Sequence, residues 1–198
     1  GGISPIGFTA NIIATIGALV GLLSIALVTG LLFARFSRAH ANLKFSGVAL
    51  VSPYLDQKAL MFRFVNKRRN VLADLQTLLI MTWVEMDSTG RLGRQYRNLP
   101  LERETLPMMP LNWTIVHPIT PESPFDGWDN ESCKNKNIEF LIVVQAYDDT
   151  FSSIVRSYHS YRSDEIVWDA KFAPMFYTDE DGNTVLELDK LSDYITLS

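Results

Sequence analysis

The sequence lacks ionisable side chains in its first 34 residues, and it contains a single cysteine. All 18 Lys and Arg and all 22 Asp and Glu lie at or after Arg35, and they leave a formal net charge of −4. One thiol, Cys133, cannot form an internal disulfide, which fits a reducing compartment. Because no basic stripe with interleaved aromatic residues occurs, nucleic acid is not an expected partner.

Motifs of catalysis and metal binding are also lacking. None of the three histidines, His40, His117 and His159, has a second ligand at metal-binding spacing. The chain contains neither a phosphate-binding glycine loop nor a G-x-S-x-G sequence. Cys133 has no base near it in the sequence, which indicates an ordinary loop thiol. The sequence therefore predicts no enzymatic activity, no metal site and no cofactor.

What the chain does contain is a long apolar run, Phe8–Phe36. A hydrocarbon core of ~30 Å needs ~20 apolar residues as helix. A helix over the whole run would be ~43 Å long, so it would tilt or project from the membrane. A cleaved signal peptide is the alternative, but no basic residue precedes the run and no small-residue cleavage site follows it. The run therefore predicts one membrane-spanning helix.

Glycines are spread along this helix. Gly17 and Gly21 form a small-xxx-small pair, which favours close packing against other helices, although glycine is also simply frequent in membrane helices. Gly30 adds a point of flexibility near the end of the run.

The basic residues lie on one side of the run only. Arg35, Arg38 and Lys44 follow it and none precedes it, so the positive-inside tendency places the rest of the chain in the cytoplasm. We therefore divide the chain into a membrane segment over residues 1–36, a basic linker over 37–44 and a soluble domain over 45–198.

Short apolar segments alternate with turn signals in the soluble domain, which is typical of an antiparallel β-sandwich or barrel. We predict an all-β, immunoglobulin-like antiparallel β-sandwich. Pro118–Lys136 is predicted to be an irregular loop with one helical turn, and Asp189–Tyr194 a short helix. The predicted strands are Leu43–Val51, Ala59–Val65, Asp74–Met86, Trp113–Val116, Ile138–Tyr147, Phe151–Tyr161, Glu165–Trp168, Lys171–Tyr177 and Thr184–Leu188.

The residues of the apolar run, ANIIATIGALVGLLSIALVTGLLFARFSR, resemble the pore-lining inner helix of inward-rectifier potassium channels, especially of the prokaryotic branch. The resemblance continues through W-T-I-V-H-P-I at 113–119, S-P-F at 123–125 and S-Y-x-x-D-E-I-V-W at 160–168. It implies a homotetrameric channel of the cell membrane that conducts K⁺ and is gated at the inner-helix crossing and by the cytoplasmic domain, under the control of anionic lipids.

The resemblance also implies roles for residues of the membrane segment. Gly1 matches the last glycine of the selectivity filter, so the rest of the filter, the pore helix, the outer helix and the slide helix would lie upstream. Phe33 matches the bulky residue that narrows the pore where four inner helices cross; the alternative is packing against helices or lipid. Ile25 matches a position that is acidic in strong rectifiers, which implies weak block by Mg²⁺ or polyamines. Gly17 departs from prokaryotic relatives, which tend to carry a glutamate there.

Roles outside the membrane segment follow in the same way. Arg35, Arg38 and Lys44 match the basic linker that binds anionic lipid headgroups in this family, although the same charges also satisfy the positive-inside tendency. Ala146 and Tyr147 match a loop that forms a second constriction in the cytoplasmic part of the pore. Next to that loop, Asp148 and Asp149 would concentrate negative charge around the axis; the alternative is a solvated acidic turn.

Two functions of different classes are compatible with the sequence. The first is the potassium-channel subunit that the resemblance implies, with K⁺ as the transported ion and three identical subunits as partners. The second is a non-conducting adaptor with a single membrane span and an immunoglobulin-like interaction domain. A further departure from the family pattern is Asp169, which stands where a glycine follows the tryptophan of E-I-x-W-G, and we expect it to affect a turn.

Overall fold

The computed structural model describes residues 2, 4–36, 41–86, 88 and 90–197. The chain divides into two compact units, Gly1–Arg38 and Ala39–Ser198. We call the second unit the β-domain and describe each unit by itself.

The first unit consists of helix α1, Phe8–Phe36, which has the predicted bounds and contains no buried residue. It is long and apolar enough to cross a membrane. The hydroxyls of Thr15 and Ser24 donate to the carbonyl oxygens of Asn11 and Val20, each at 2.8 Å. These bonds satisfy both hydroxyls within the helix, as a hydrocarbon environment requires.

The β-domain contains strands of three to 15 residues, most of them in two principal sheets. The helical segments of the β-domain are α2 (Asn130–Asn135) and the 3₁₀ turns Ser163–Glu165 and Leu188–Ser192. In chain order the strands are β1 (Leu43–Phe45), β2 (Ala49–Tyr54), β3 (Gln57–Asn66), β4 (Leu72–Met86), β5 (Leu92–Leu99), β6 (Thr105–Met108), β7 (Trp113–Ile119), β8 (Glu139–Asp148), β9 (Ser153–Arg162), β10 (Ile166–Trp168), β11 (Ala170–Phe172), β12 (Phe176–Thr178), β13 (Thr184–Leu186) and β14 (Tyr194–Thr196).

The first sheet is built around β3, which pairs antiparallel with β1, β2 and β7. The second sheet has the order β5-β4-β8-β9, with β6 also pairing with β4. Alternate residues of β8 are buried, as expected for a strand with one face against a core. The core between the sheets includes Phe62 and Phe64 from the first sheet and Phe140 and Ile142 from the second. The predicted membrane helix and all-β sandwich are confirmed.

The last part of the chain adds two small ribbons, β11–β14 and β12–β13. Val65, Met175 and Leu191 form a second, smaller core beneath them. This core attaches the C-terminal segment to the end of β3.

Several predicted elements are wrong in detail. The predicted strand Leu43–Val51 is divided into β1 and β2, and Lys171–Tyr177 into β11 and β12, the latter around Pro174, which has no N–H to donate. The pairing of β2 with β10 is parallel, within an otherwise antiparallel first sheet. The predicted terminal helix is the 3₁₀ turn Leu188–Ser192.

The sequence does not predict β5 and β6. Most residues of β5 are polar and exposed, because this strand lies at the edge of its sheet. β6 is only four residues long and contains Pro107, which is typical of edge positions. Neither strand has the alternating apolar pattern on which the prediction depended.

Candidate functional site

One face of α1 brings together two of the predicted pore residues. Ile25, Thr29 and Phe33 follow each other at intervals of four residues, so they form a ridge inclined by about 26° to the helix axis. The Phe33 side chain is 72% exposed in the single chain, and no part of the helix is buried. If the helix is tilted from the membrane normal, such a ridge can run parallel to the axis of a pore. A pore-lining surface needs this geometry.

The glycines of α1 have open space beside them. A Cβ atom added at Gly17, Gly21 or Gly30 would meet nothing within 4 Å. Packing within the chain therefore does not require these glycines, and their contact with other helices stays a prediction. The helix continues through Gly30 without interruption.

The three predicted lipid-binding residues lie in different surroundings. Arg35 occupies the last turn of α1, where a cation is favoured by the helix dipole. Lys44 lies in β1, and its ammonium donates to the carbonyl oxygen of Leu188 at 3.4 Å. Arg38 and His40 lie outside the described residues, as does the predicted filter residue Gly1.

Ala146 and Tyr147 both lie within β8, in agreement with the predicted strand Ile138–Tyr147 and not with the loop that the resemblance implied. Ala146 is 2% exposed and belongs to the core, whereas Tyr147 is 40% exposed on the other face of the strand. The turn itself covers residues 149–152, and Ser152 there has a φ of 46°. Of the two predicted constriction residues, Tyr147 is therefore the one at the surface.

The two neighbouring carboxylates also differ. Asp148 is 1% exposed, and its Oδ1 accepts the N–H groups of Thr150 at 2.9 Å and Phe151 at 3.3 Å. Asp149 is exposed, and its Oδ1 accepts the N–H of Val71 at 3.1 Å. Asp148 therefore shapes the turn from within, and Asp149 is the carboxylate that meets solvent.

Asp169, at the position where the resemblance implies a glycine, adopts a left-handed conformation with a φ of 50°. This conformation favours glycine, and Asp tolerates it better than most residues do. Its side chain forms an ion pair with Lys58 at 2.9 Å. The expected effect on a turn agrees with this geometry.

His117 is a structural residue. Its Nδ1 lies 2.6 Å from the carbonyl oxygen of Pro100, which can only accept, so Nδ1 carries the proton. Nε2 then accepts from the Ser123 hydroxyl at 2.8 Å. Burial lowers the pKa of His117, which favours this neutral form.

Metal and thiol chemistry find no support in the described part of the chain. It contains no group of three or more His, Cys, Asp or Glu side chains that could hold a metal ion. Cys133 lies in α2 and is buried, so it is not the loop thiol that the sequence indicated. Burial raises the pKa of this thiol to about 12, which makes it unreactive at neutral pH.

The sequence analysis missed a set of buried polar side chains near β1. Tyr161 donates its hydroxyl to the carbonyl oxygen of Ser46 at 2.8 Å, and the buried Arg63 contacts the C-terminal segment. A signal for Arg63 was present, because a single charge stands between Phe62 and Phe64 in an apolar strand. No comparable signal marked Ser46 or Tyr161.

A family model described as the C-terminal domain of inward rectifier potassium channels matches residues 43–197. The chain belongs to the inward-rectifier potassium channel family. The match extends from the first residue of β1 to the end of the described β-domain, so it takes in all the strands above.

Three relatives agree with this membership. Inward rectifier potassium channel Kirbac3.1 of Paramagnetospirillum magnetotacticum is 34% identical over 190 residues, which cover 96% of this chain and 64% of that protein. ATP-sensitive inward rectifier potassium channel 15 of Mus musculus is 24% identical over 168 residues, covering 81% and 44%. G protein-activated inward rectifier potassium channel 1 of Bos taurus is 24% identical over 178 residues, covering 82% and 34%.

The chain spans less than two thirds of the length of each of these relatives. All three are named as channels and none as an enzyme, in agreement with the prediction that the chain is not an enzyme. The bacterial relative, with the highest identity of the three, supports the prokaryotic branch of the family.

Proposed function

We propose that this chain is a subunit of a homotetrameric potassium channel of the cell membrane, with the β-domain on the cytoplasmic side. The observation that carries the proposal is the continuity of the similarity. The 34% identity to the bacterial channel covers 96% of this chain, so it takes in the membrane helix as well as the β-domain. Arg35 in the last turn of α1 supports the cytoplasmic orientation of the β-domain that follows it in sequence.

An exposed apolar face of the second sheet supports assembly into an oligomer. Strand pairing places Leu78 beside Val143 and Val143 beside Tyr158. On the same face Tyr147 lies beside Ile154. Leu78, Tyr158 and Ile154 are exposed in the single chain. Gln145 lies between Val143 and Tyr147 on this face, and exposed apolar residues bordered by polar ones are typical of a protein interface.

In the proposed channel Phe33 closes the pore at the inner-helix crossing. Four phenyl rings around an axis form a hydrophobic constriction, which blocks ions because water leaves it. The ridge of Ile25, Thr29 and Phe33 supports this assignment because it places all three residues along one line. Gly1 would belong to the edge of the selectivity filter.

Rectification would be weak in this channel. Ile25 is aliphatic, so the membrane pore has no ring of carboxylates at this level to hold Mg²⁺ or polyamines. Near the second constriction at Tyr147, the exposed Asp149 would attract cations more strongly than the buried Asp148. Current–voltage relations with internal Mg²⁺ test the role of Ile25, and strong block in the unmodified channel would contradict it.

Anionic lipids would control gating through Arg35 and Arg38. Each cation near a negative leaflet is attracted by about 1 kcal/mol. Lys44 contributes less in this account, because its ammonium already donates to the carbonyl oxygen of Leu188 within the β-domain.

Neutralising Arg35 and Arg38 together to glutamine is expected to raise the anionic-lipid content needed for half of the lipid effect. Two lost attractions of about 1 kcal/mol each correspond to a shift of roughly tenfold or more. The measurement is K⁺ flux from liposomes that contain the full-length protein and a graded fraction of anionic lipid.

The matched control replaces Arg97 and Arg103, two exposed arginines of the β-domain, by glutamine. It changes the net charge equally and should leave the lipid dependence near that of the unmodified protein. Equal lipid dependence in both double variants would reject the assignment of Arg35 and Arg38.

A further inference from the structure

Arg63 is a charged side chain that is only 3% exposed. Its guanidinium donates four hydrogen bonds, and every acceptor is a main-chain carbonyl oxygen of the C-terminal segment. The acceptors are Leu191 at 2.7 Å, Ala173 at 2.8 Å, Lys190 at 2.6 Å and Asp193 at 3.3 Å. The planar fork of an arginine suits several acceptors at once, which the ammonium of a lysine does not.

The surroundings of this cation compensate for its burial. The carbonyl oxygens of Lys190 and Leu191 belong to the 3₁₀ turn Leu188–Ser192, and the end of such a turn carries partial negative charge. The Phe172 ring lies 4.4 Å from the Arg63 Cζ atom. Burial lowers the pKa of the guanidinium, and the negative charge of Asp193 opposes that effect.

The main chain of Arg63 binds on its other side to Ser46, which directly follows β1. The Arg63 carbonyl oxygen accepts the Ser46 N–H at 2.8 Å, and the Arg63 N–H donates to the Ser46 hydroxyl at 3.3 Å. Ser46 is fully buried. One residue therefore connects the end of β1 to the C-terminal segment.

Two further hydrogen bonds join the same parts of the chain. The Gly47 N–H donates to the Ser192 hydroxyl at 2.8 Å, and the Lys44 ammonium donates to the Leu188 carbonyl oxygen at 3.4 Å. Both ends of the turn Leu188–Ser192 thus contact the stretch 43–48, which includes the last two residues of the basic linker. We call this set of contacts the Arg63 clamp.

We propose that Arg63 is a positioning residue that holds the turn Leu188–Ser192 on the stretch 43–48, so that both respond together when anionic lipid acts on the linker. The inference rests on the proposed function, because it needs a linker that responds to lipid. Its new content is that the C-terminal segment is part of the gating response, although it lies about 145 residues from the linker along the chain.

Hydrogen–deuterium exchange of the full-length protein in nanodiscs, with and without anionic lipid, tests the proposal. In the unmodified protein, amides of 43–48 and of 188–193 are expected to change exchange rate together when the lipid is added. In Arg63→Gln, the amides of 188–193 should exchange about tenfold faster without lipid. The reason is that the carbonyl oxygens of Lys190, Leu191 and Asp193 lose the hydrogen bonds from Arg63 that hold this segment in place. The amides of 188–193 should also stop responding to the lipid, while those of 43–48 still respond.

Ser192→Ala is the milder variant, since it removes the bond to Gly47 and keeps Arg63 in place. It is expected to reduce the lipid response of 188–193 without loss of folding. Arg156→Gln is the matched control, because Arg156 is an exposed arginine of the second sheet that binds Gln145, and it should keep the joint response.

The possible outcomes distinguish failure of the inference alone from failure of the proposed lipid control. A lipid response at 43–48 with none at 188–193 in the unmodified protein overturns the inference alone. A joint response that persists in both Arg63→Gln and Ser192→Ala also overturns it. No lipid response at 43–48 contradicts lipid control of the linker, and the inference then fails with it.

Discussion

Replacing Phe33 by alanine is expected to raise the K⁺ flux of the full-length channel about tenfold. The change removes four phenyl rings from the proposed crossing, so the constriction widens and retains water. A tenfold rise corresponds to a shift of about 1.4 kcal/mol in the equilibrium between closed and open channels. Single-channel recording should show a higher open probability with little change in the conductance of each opening.

Leu31→Ala is the matched control for this prediction. Leu31 lies two residues away in the same helix, so it is at a similar depth but on roughly the opposite side, since each residue turns about 100°. It should leave the open probability nearly unchanged. Equal changes of the open probability in Phe33→Ala and Leu31→Ala, or no change in either, would contradict the assignment of Phe33 as the gate.

Replacing Phe125 by alanine is expected to destabilise the β-domain by about 3–5 kcal/mol, the usual cost for a buried phenylalanine. Its ring lies 5.1 Å from that of Phe140 in the second sheet and 5.8 Å from that of Trp168 in the first. Phe125 thus fills space between the two sheets. For a domain of this size the melting temperature should fall by about 10 °C.

Tryptophan fluorescence of the full-length protein during heating measures this change. The four tryptophans of the chain all lie in the β-domain. Phe176→Ala serves as the control, because that ring is about half exposed in the ribbon β12–β13, and it should lower the melting temperature by only a few degrees. If Phe125→Ala and Phe176→Ala have equal melting temperatures, Phe125 does not pack between the two sheets as described.

The membrane helix and the central strands could be predicted because their signals are local. An unbroken apolar run marks α1, and β8 alternates between core and surface along its whole length. Strand β5 could not be predicted in this way, since an exposed edge strand has no apolar face to generate the pattern.

The difference between Asp148 and Asp149 follows from a local rule that the sequence analysis did not apply. Successive residues of a strand point to opposite faces, so a strand that extends to Asp148 places that carboxylate on the core side. The apolar pattern predicts a strand that ends at Tyr147, followed by one acidic turn that contains both aspartates. An error of one residue in the strand end therefore changed the interpretation of the charge.

The Arg63 clamp lay beyond sequence reasoning for a different reason. Arg63 and Lys190 are 127 positions apart, and the acceptors are main-chain carbonyls, which every residue possesses. A lone arginine in an apolar strand indicated burial but not its partner. Only the fold brings the turn Leu188–Ser192 against β1 and β3.

The most direct test of the central claim is barium-sensitive K⁺ uptake by liposomes that contain the full-length protein. If the chain is a potassium-channel subunit, K⁺ uptake is blocked by Ba²⁺, exceeds Na⁺ uptake under the same gradient and depends on the fraction of anionic lipid. Absence of barium-sensitive uptake in every lipid mixture, with folded protein confirmed in the same liposomes, would contradict the account and favour a non-conducting membrane adaptor.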